Sequence, residues 1–192
     1  MAEPVVQLGT GLDTFNTPVV PIVFIPGVMG TRLAMPGGTN WDPDDALAML
    51  SLAGADMTEK QRDLSVFMRA DAKPIRPLTS AGAKILDANN KLLTICQKQD
   101  PPTIPSVQYT QRGWGGAVFG FYNDILTLLE TEFNKSFFQI QPHPVFCFGY
   151  DWRNSNANSG MLLRARIDDI LAKTPTAKEV VIVTHSMGGL VA

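Results

Sequence analysis

Residues 179–192 read Glu-Val-Val-Ile-Val-Thr-His-Ser-Met-Gly-Gly-Leu-Val-Ala. A β-branched apolar run leads into a serine, and two glycines and a fresh apolar stretch follow. That order predicts a strand, a sharp turn carrying Ser186, and the start of a helix. Two further apolar runs precede it. Val19–Ile25 is continuous and β-branched, as in a strand buried on both faces of a parallel sheet. A second run starts at Pro144 and ends in the polar cluster Tyr150–Arg153.

Between the runs lie segments with helical spacing. Phe121, Ile125, Leu128, Leu129 and Phe133 form one, and Leu163, Ile167, Ile170 and Leu171 another. Asn158 or Ser159 would cap the second helix and Pro175 would end it. Strands alternating with helices predict an α/β fold, with parallel central strands in the order 145–150, 19–25, 179–184. Residues 18–30 and 113–192 read as its core and residues 31–112 as a lid or cap insertion, too long for a plain connection. Short helices are expected there, capped by Asp42 and by Thr58, with Pro74, Pro77, Pro101, Pro102 and Pro105 breaking up the rest. Residues 1–17 read as a polar lead-in.

Composition narrows the function. The chain has 192 residues, 45% hydrophobic and 18% charged, enough for one globular domain. Its net charge is −2 and it has no Lys/Arg block, which argues against nucleic acid as a partner. The apolar runs fall short of a membrane span, and the N-terminus lacks a secretory pattern. A cytoplasmic location is expected, with export by another route left open. Two cysteines, Cys96 and Cys147, make no disulfide framework, and Cys147 reads as a buried thiol. No metal constellation and no cofactor motif is present.

The chemistry centres on the serine. A hydroxyl attacks an ester only when a base takes its proton and hydrogen-bond donors receive the developing charge. The residues two before and two after the serine must be small in a nucleophile elbow; here they are Thr184 and Gly188. The Met187 amide, at the head of the helix, is one candidate oxyanion donor. The second should come from the loop after the first strand, Pro26–Gly30, with Val28 the first choice and Met29 the next. Glycines at 27 and 30 would let that backbone approach a ligand closely.

Three places resemble one family: "VFIPGVMGTRL" leading to "NWDPD", then "FGYDWR", then "VIVTHSMGG". They look like the lecithin:cholesterol acyltransferase-like branch of the α/β-hydrolases, over about residues 19–45 and 113–192. The resemblance implies Ser186 as nucleophile, Met187 and Val28 as oxyanion amides, and a lipid ester as substrate, with peripheral membrane contact through the lid. Thr184 departs from the family's usual glycine, and the lid segment has no cysteine pair. Asp151 and Arg153 would face the site from a strand end, or tie that end to neighbouring backbone. Trp41 and Trp114 would be lipid-facing or packing aromatics.

A serine hydrolase also needs a histidine and an acid, which in this fold follow the nucleophile. The only histidines are His185, pointing away from Ser186, and His143, expected at the far end of its strand. The expectation is therefore the N-terminal part of an α/β-hydrolase, inactive alone and lacking the C-terminal half of the fold. Two classes stand: a serine lipase, esterase or acyltransferase working through an acyl-serine, and a catalytically dead fragment or pseudoenzyme that binds lipid or a partner.

Overall fold

The computed structural model describes residues 19–34, 40–53, 84–85, 109, 111–134 and 143–192. Three parallel strands form its centre: β1 (Ile22–Ile25), β5 (Val145–Cys147) and β6 (Val181–Thr184), in the spatial order β5-β1-β6. Ile22 stands in register with Val145 on one side and Val181 on the other. The order and direction are those expected from the apolar runs, and the fold is α/β.

All four residues of β1 are buried, because it is covered on both faces. Its side chains alternate. Ile22 and Phe24 join Val145, Cys147, Trp114 and the buried stripe of helix α2 (Phe119–Glu132), namely Tyr122, Leu126 and Leu129. Val23 and Ile25 join Phe146, Tyr150, Trp152 and the buried residues Leu163 and Ile170 of helix α3 (Asn156–Lys173) on the opposite face. One helix thus seals each face of the sheet.

The α2 stripe differs from the expected one. Phe121, Leu128 and Phe133 are about half exposed, whereas Tyr122 and Leu126 are buried. The helix is rotated so that Tyr122 reaches the sheet, and Phe121 is left outside. Helix α3 starts at Asn156, so its cap position is Ser155; Asn158 and Ser159 lie buried inside the helix. Helix α1 (Ala46–Ala53) is capped by Asp45, whose Oδ1 accepts from the amides of Leu47 and Ala48. Asp42, the expected cap, instead forms a two-point ion pair with buried Arg32. Thr58 and its helix, Cys96, the five prolines and the lead-in lie outside the described residues.

A second, small antiparallel sheet joins β2 (Leu33–Ala34) to β3 (Asn40–Trp41) and β4 (Lys84–Ile85), in the order β3-β2-β4. Residues 31–34 and 40–44 are fastened to the core. Arg32 donates to the Gly115 carbonyl, and the Asp44 carboxylate accepts from the amides of Phe119 and Gly120 at the start of α2. No described helix is long and apolar enough to cross a membrane.

Candidate active site

Parallel strands put the loops after β1, β5 and β6 at one edge of the sheet, where open α/β sheets bind ligands. Ser186 stands there, exposed, in the turn between β6 and the short helix α4 (Gly188–Val191). Its φ is 51°, in the left-handed region that a non-glycine residue adopts at a cost of about 1 kcal/mol or more. The turn is held from below. His185 N–H donates to the Ile25 carbonyl, Gly188 N–H to His185, and Gly189 N–H to Ser186.

Gly188 lets α4 start directly on the end of β1. A Cβ there would lie 2.5 Å from the Ile25 oxygen and 2.7 Å from that of Pro26. The Thr184 hydroxyl lies beside Gly189, 3.4 Å from where a Cβ would stand, an ordinary van der Waals distance.

The loop Pro26–Gly30 is fastened at several points. Gly30 N–H donates to the Gly27 carbonyl and closes a turn with Val28 and Met29 at its centre. Met29 has φ 60°, a second left-handed non-glycine residue. Trp41 Nε1–H donates to the Met29 carbonyl at 3.0 Å, and Tyr150 O–H donates to the Pro26 carbonyl at 3.0 Å. Gly27 N–H donates to the Tyr122 hydroxyl, also at 3.0 Å. Val28 is 48% exposed, so the tip of the loop stands free beside the serine turn.

The two loop glycines make room for protein rather than ligand. A Cβ on Gly27 would meet His185 Nδ1 at 2.9 Å and Ser186 Cβ at 3.0 Å. One on Gly30 would stand 2.5 Å from the Tyr122 hydroxyl. The loop backbone therefore lies directly against the serine turn on one side and Tyr122 on the other.

The Tyr150–Arg153 cluster splits in two. Tyr150 and Trp152 turn inward: the Tyr150 amide donates to Thr31 Oγ1, and Trp152 Nε1–H donates to the Thr31 carbonyl. Asp151 and Arg153 pair with each other at 2.7 and 2.8 Å. Of the two tryptophans singled out earlier, Trp114 is buried and donates to the Val145 carbonyl, a packing residue. Trp41 is partly exposed and stacks edge-on against Trp152 at 5.6 Å.

The described residues include both histidines. His143 sits before β5, its Nδ1 3.2 Å from the Val20 carbonyl just before β1. That is the opposite end of the sheet from Ser186. His185 Nδ1 is 2.9 Å from the Tyr122 hydroxyl. Burial raises the Tyr122 phenol above its usual range and pushes Tyr150 up to about 12, so both stay protonated near neutrality. Burial likewise pushes the free Cys147 thiol to about 12. Among the described residues no group of three or more His, Cys, Asp and Glu is placed to hold a metal ion.

Residues 136–192 match the family model for lecithin:cholesterol acyltransferase. The segment takes in Tyr150–Arg153 and the whole serine turn, and it leaves the Val28 loop outside. One chain of a solved structure, the Tle4–Tli4 complex, superposes with a TM-score of 0.63 over 92% of this chain, at 21% identity. That likeness is one of fold, and this chain spans 42% of that chain's length. No curated protein matches the sequence.

Within the matched segment, the serine turn and the tetrad were legible as motifs. Tyr122 was not, because it lies outside every motif and beside exposed Phe121. Its signal was a tyrosine at helical spacing from Leu126 and Leu129, which reads as ordinary core. Thr31 and Asp44 were missed for a similar reason: their partners lie about 120 and 75 residues away in sequence.

Proposed function

We propose that this protein contributes the nucleophile and the oxyanion donors of a serine lipase, esterase or O-acyltransferase acting on lipid esters. The observation that carries the proposal is the exposed, left-handed Ser186 at the C-terminal end of β6, with the Gly27 backbone pressed against it. Ser186 Oγ attacks the ester carbonyl, and an acyl-serine forms as the alcohol leaves. Water or a second alcohol then takes the acyl group. The amides of Met187 and Val28, with Met29 as the neighbouring alternative, stabilise the tetrahedral oxyanion. Asp151 and Arg153, in the loop after β5, would border the bound substrate, and partly exposed Trp41 would meet its acyl portion. Residues 31–112 would act as the lid.

The base must come from outside these 192 residues. His143 is at the wrong end of the sheet, and His185 Nδ1 is engaged by Tyr122. By themselves the 192 residues are therefore inactive on esters. In a full-length protein, Ser186→Ala should abolish fluorophosphonate labelling. It should lower turnover of a p-nitrophenyl ester by about 10³-fold or more, as loss of a serine nucleophile does. A loss under about tenfold would point to another nucleophile.

A further inference from the structure

We propose that Tyr122 is a positioning residue of this site, locking the Pro26–Gly30 loop to the serine turn through hydrogen bonds that end on His185. The proposal rests on Ser186 being the nucleophile.

Three segments distant in sequence meet at one oxygen. Gly27 N–H donates to the Tyr122 hydroxyl oxygen at 3.0 Å, in a buried contact. The same oxygen is 2.9 Å from His185 Nδ1. A phenol has one hydrogen to give. With the Gly27 amide occupying a lone pair, that hydrogen goes to Nδ1, and His185 is the tautomer protonated on Nε2. The chain then has one direction: loop amide to phenol, phenol to imidazole. The Tyr122 ring is fixed independently, in the core, 5.2 Å from the Phe24 ring of β1 and edge-on to the imidazole at 5.6 Å.

The packing makes the lock rigid. Gly27 has no room for a Cβ against His185 Nδ1 and Ser186 Cβ, and Gly30 has none against the phenol. The loop thus rests on two polar groups whose positions depend on each other. Val28 follows Gly27 directly, so its amide can move little while Gly27 is held. An oxyanion donor works only within a few tenths of an ångström of its proper distance. Loosening Gly27 would weaken stabilisation of a charge that exists only in the transition state. The loss should therefore fall on kcat and spare KM.

The test is Tyr122→Phe in the full-length protein, which keeps the ring against Phe24 and removes the hydroxyl. Turnover of a short-chain p-nitrophenyl ester should show kcat reduced roughly 10- to 100-fold, with KM within about twofold of wild type. Hydrogen exchange at the Gly27 amide should accelerate, and the ¹⁵N signal of His185 Nδ1 should shift. A folded Tyr122→Phe protein with unchanged kcat, beside an inactive Ser186→Ala, overturns this inference and leaves the proposed function standing. An active Ser186→Ala overturns both. Should Tyr122→Phe not fold, His185→Ala takes its place, since His185 is exposed. It should lower kcat at constant KM, and an unchanged kcat overturns the lock.

Discussion

Two adjacent glycines in the serine turn carry opposite burdens. At Gly188 a methyl group would collide with the Ile25 and Pro26 carbonyls, both backbone atoms at the end of the central strand. Gly188→Ala should destabilise the fold by about 2 kcal/mol or more, because neither obstacle can swing away. At Gly189 the nearest atom is the Thr184 hydroxyl at 3.4 Å, and the residue lies in a helical turn where alanine is preferred. Gly189→Ala should stay within about 0.5 kcal/mol of wild type. Urea unfolding of the two variants side by side checks the contrast, and equal losses would disprove it. Cys147 makes a separate prediction. Burial raises its thiol from 9.0 to about 12 in the folded chain. Its neutral form is the one the fold accepts, so its contribution is complete below pH 9 and falls as pH rises from 9 towards 12. Over that window the unfolded chain alone releases the proton, which costs about 1.4 kcal/mol per pH unit. Urea unfolding of Cys147→Ala from pH 8 to 10.5 should show a shallower alkaline decline than wild type, and parallel curves would refute it.

The elements are joined by contacts that cross long stretches of sequence. Asp44, just before α1, caps α2 by accepting from the amides of Phe119 and Gly120. Asp44→Ala should cost about 1 kcal/mol, the usual penalty for a lost cap. Hydrogen exchange should rise most at the first turn of α2. Uniform exchange along α2 would mean the cap is redundant. This junction also shows where sequence reading stopped. The three strands, their order and the serine turn were legible because they depend on local apolar runs and on the spacing around Ser186. The caps were placed wrongly at Asp42, Asn158 and Ser159 because several acceptors cluster near each helix start, and tertiary partners choose among them. Arg32 claims Asp42, which leaves α1 to Asp45. The exposed side of α2 was misjudged because Phe121 and Tyr122 are neighbours, and only the sheet decides which turns inward. The cross-chain fastenings of the Val28 loop, by Trp41, Tyr150 and Tyr122, have no local signature at all.

At the scale of the whole molecule, the described strands of the central sheet are unevenly exposed. Among the described strands β6 lies at an edge, and Val181 and Ile182 are 46% and 39% exposed, more than any residue of β1 or β5. An open apolar edge invites pairing with another chain. Ile182→Lys should therefore reduce concentration-dependent association of the 192-residue chain in sedimentation runs. Its effect on stability should be small, within about 1 kcal/mol, since the side chain is already in part outside the core. Association unchanged by the lysine would locate the sticky surface elsewhere. The place of β1 has a consequence for synthesis. Its first partner in register, Val145, follows Ile22 by about 120 residues, an interval of roughly 6 to 25 seconds at ribosomal speed. Throughout that time the fully buried strand β1 has emerged with neither neighbour made. A nascent chain of this design carries residues 19–25 unpaired and apolar until β5 arrives, a stretch open to association with other chains.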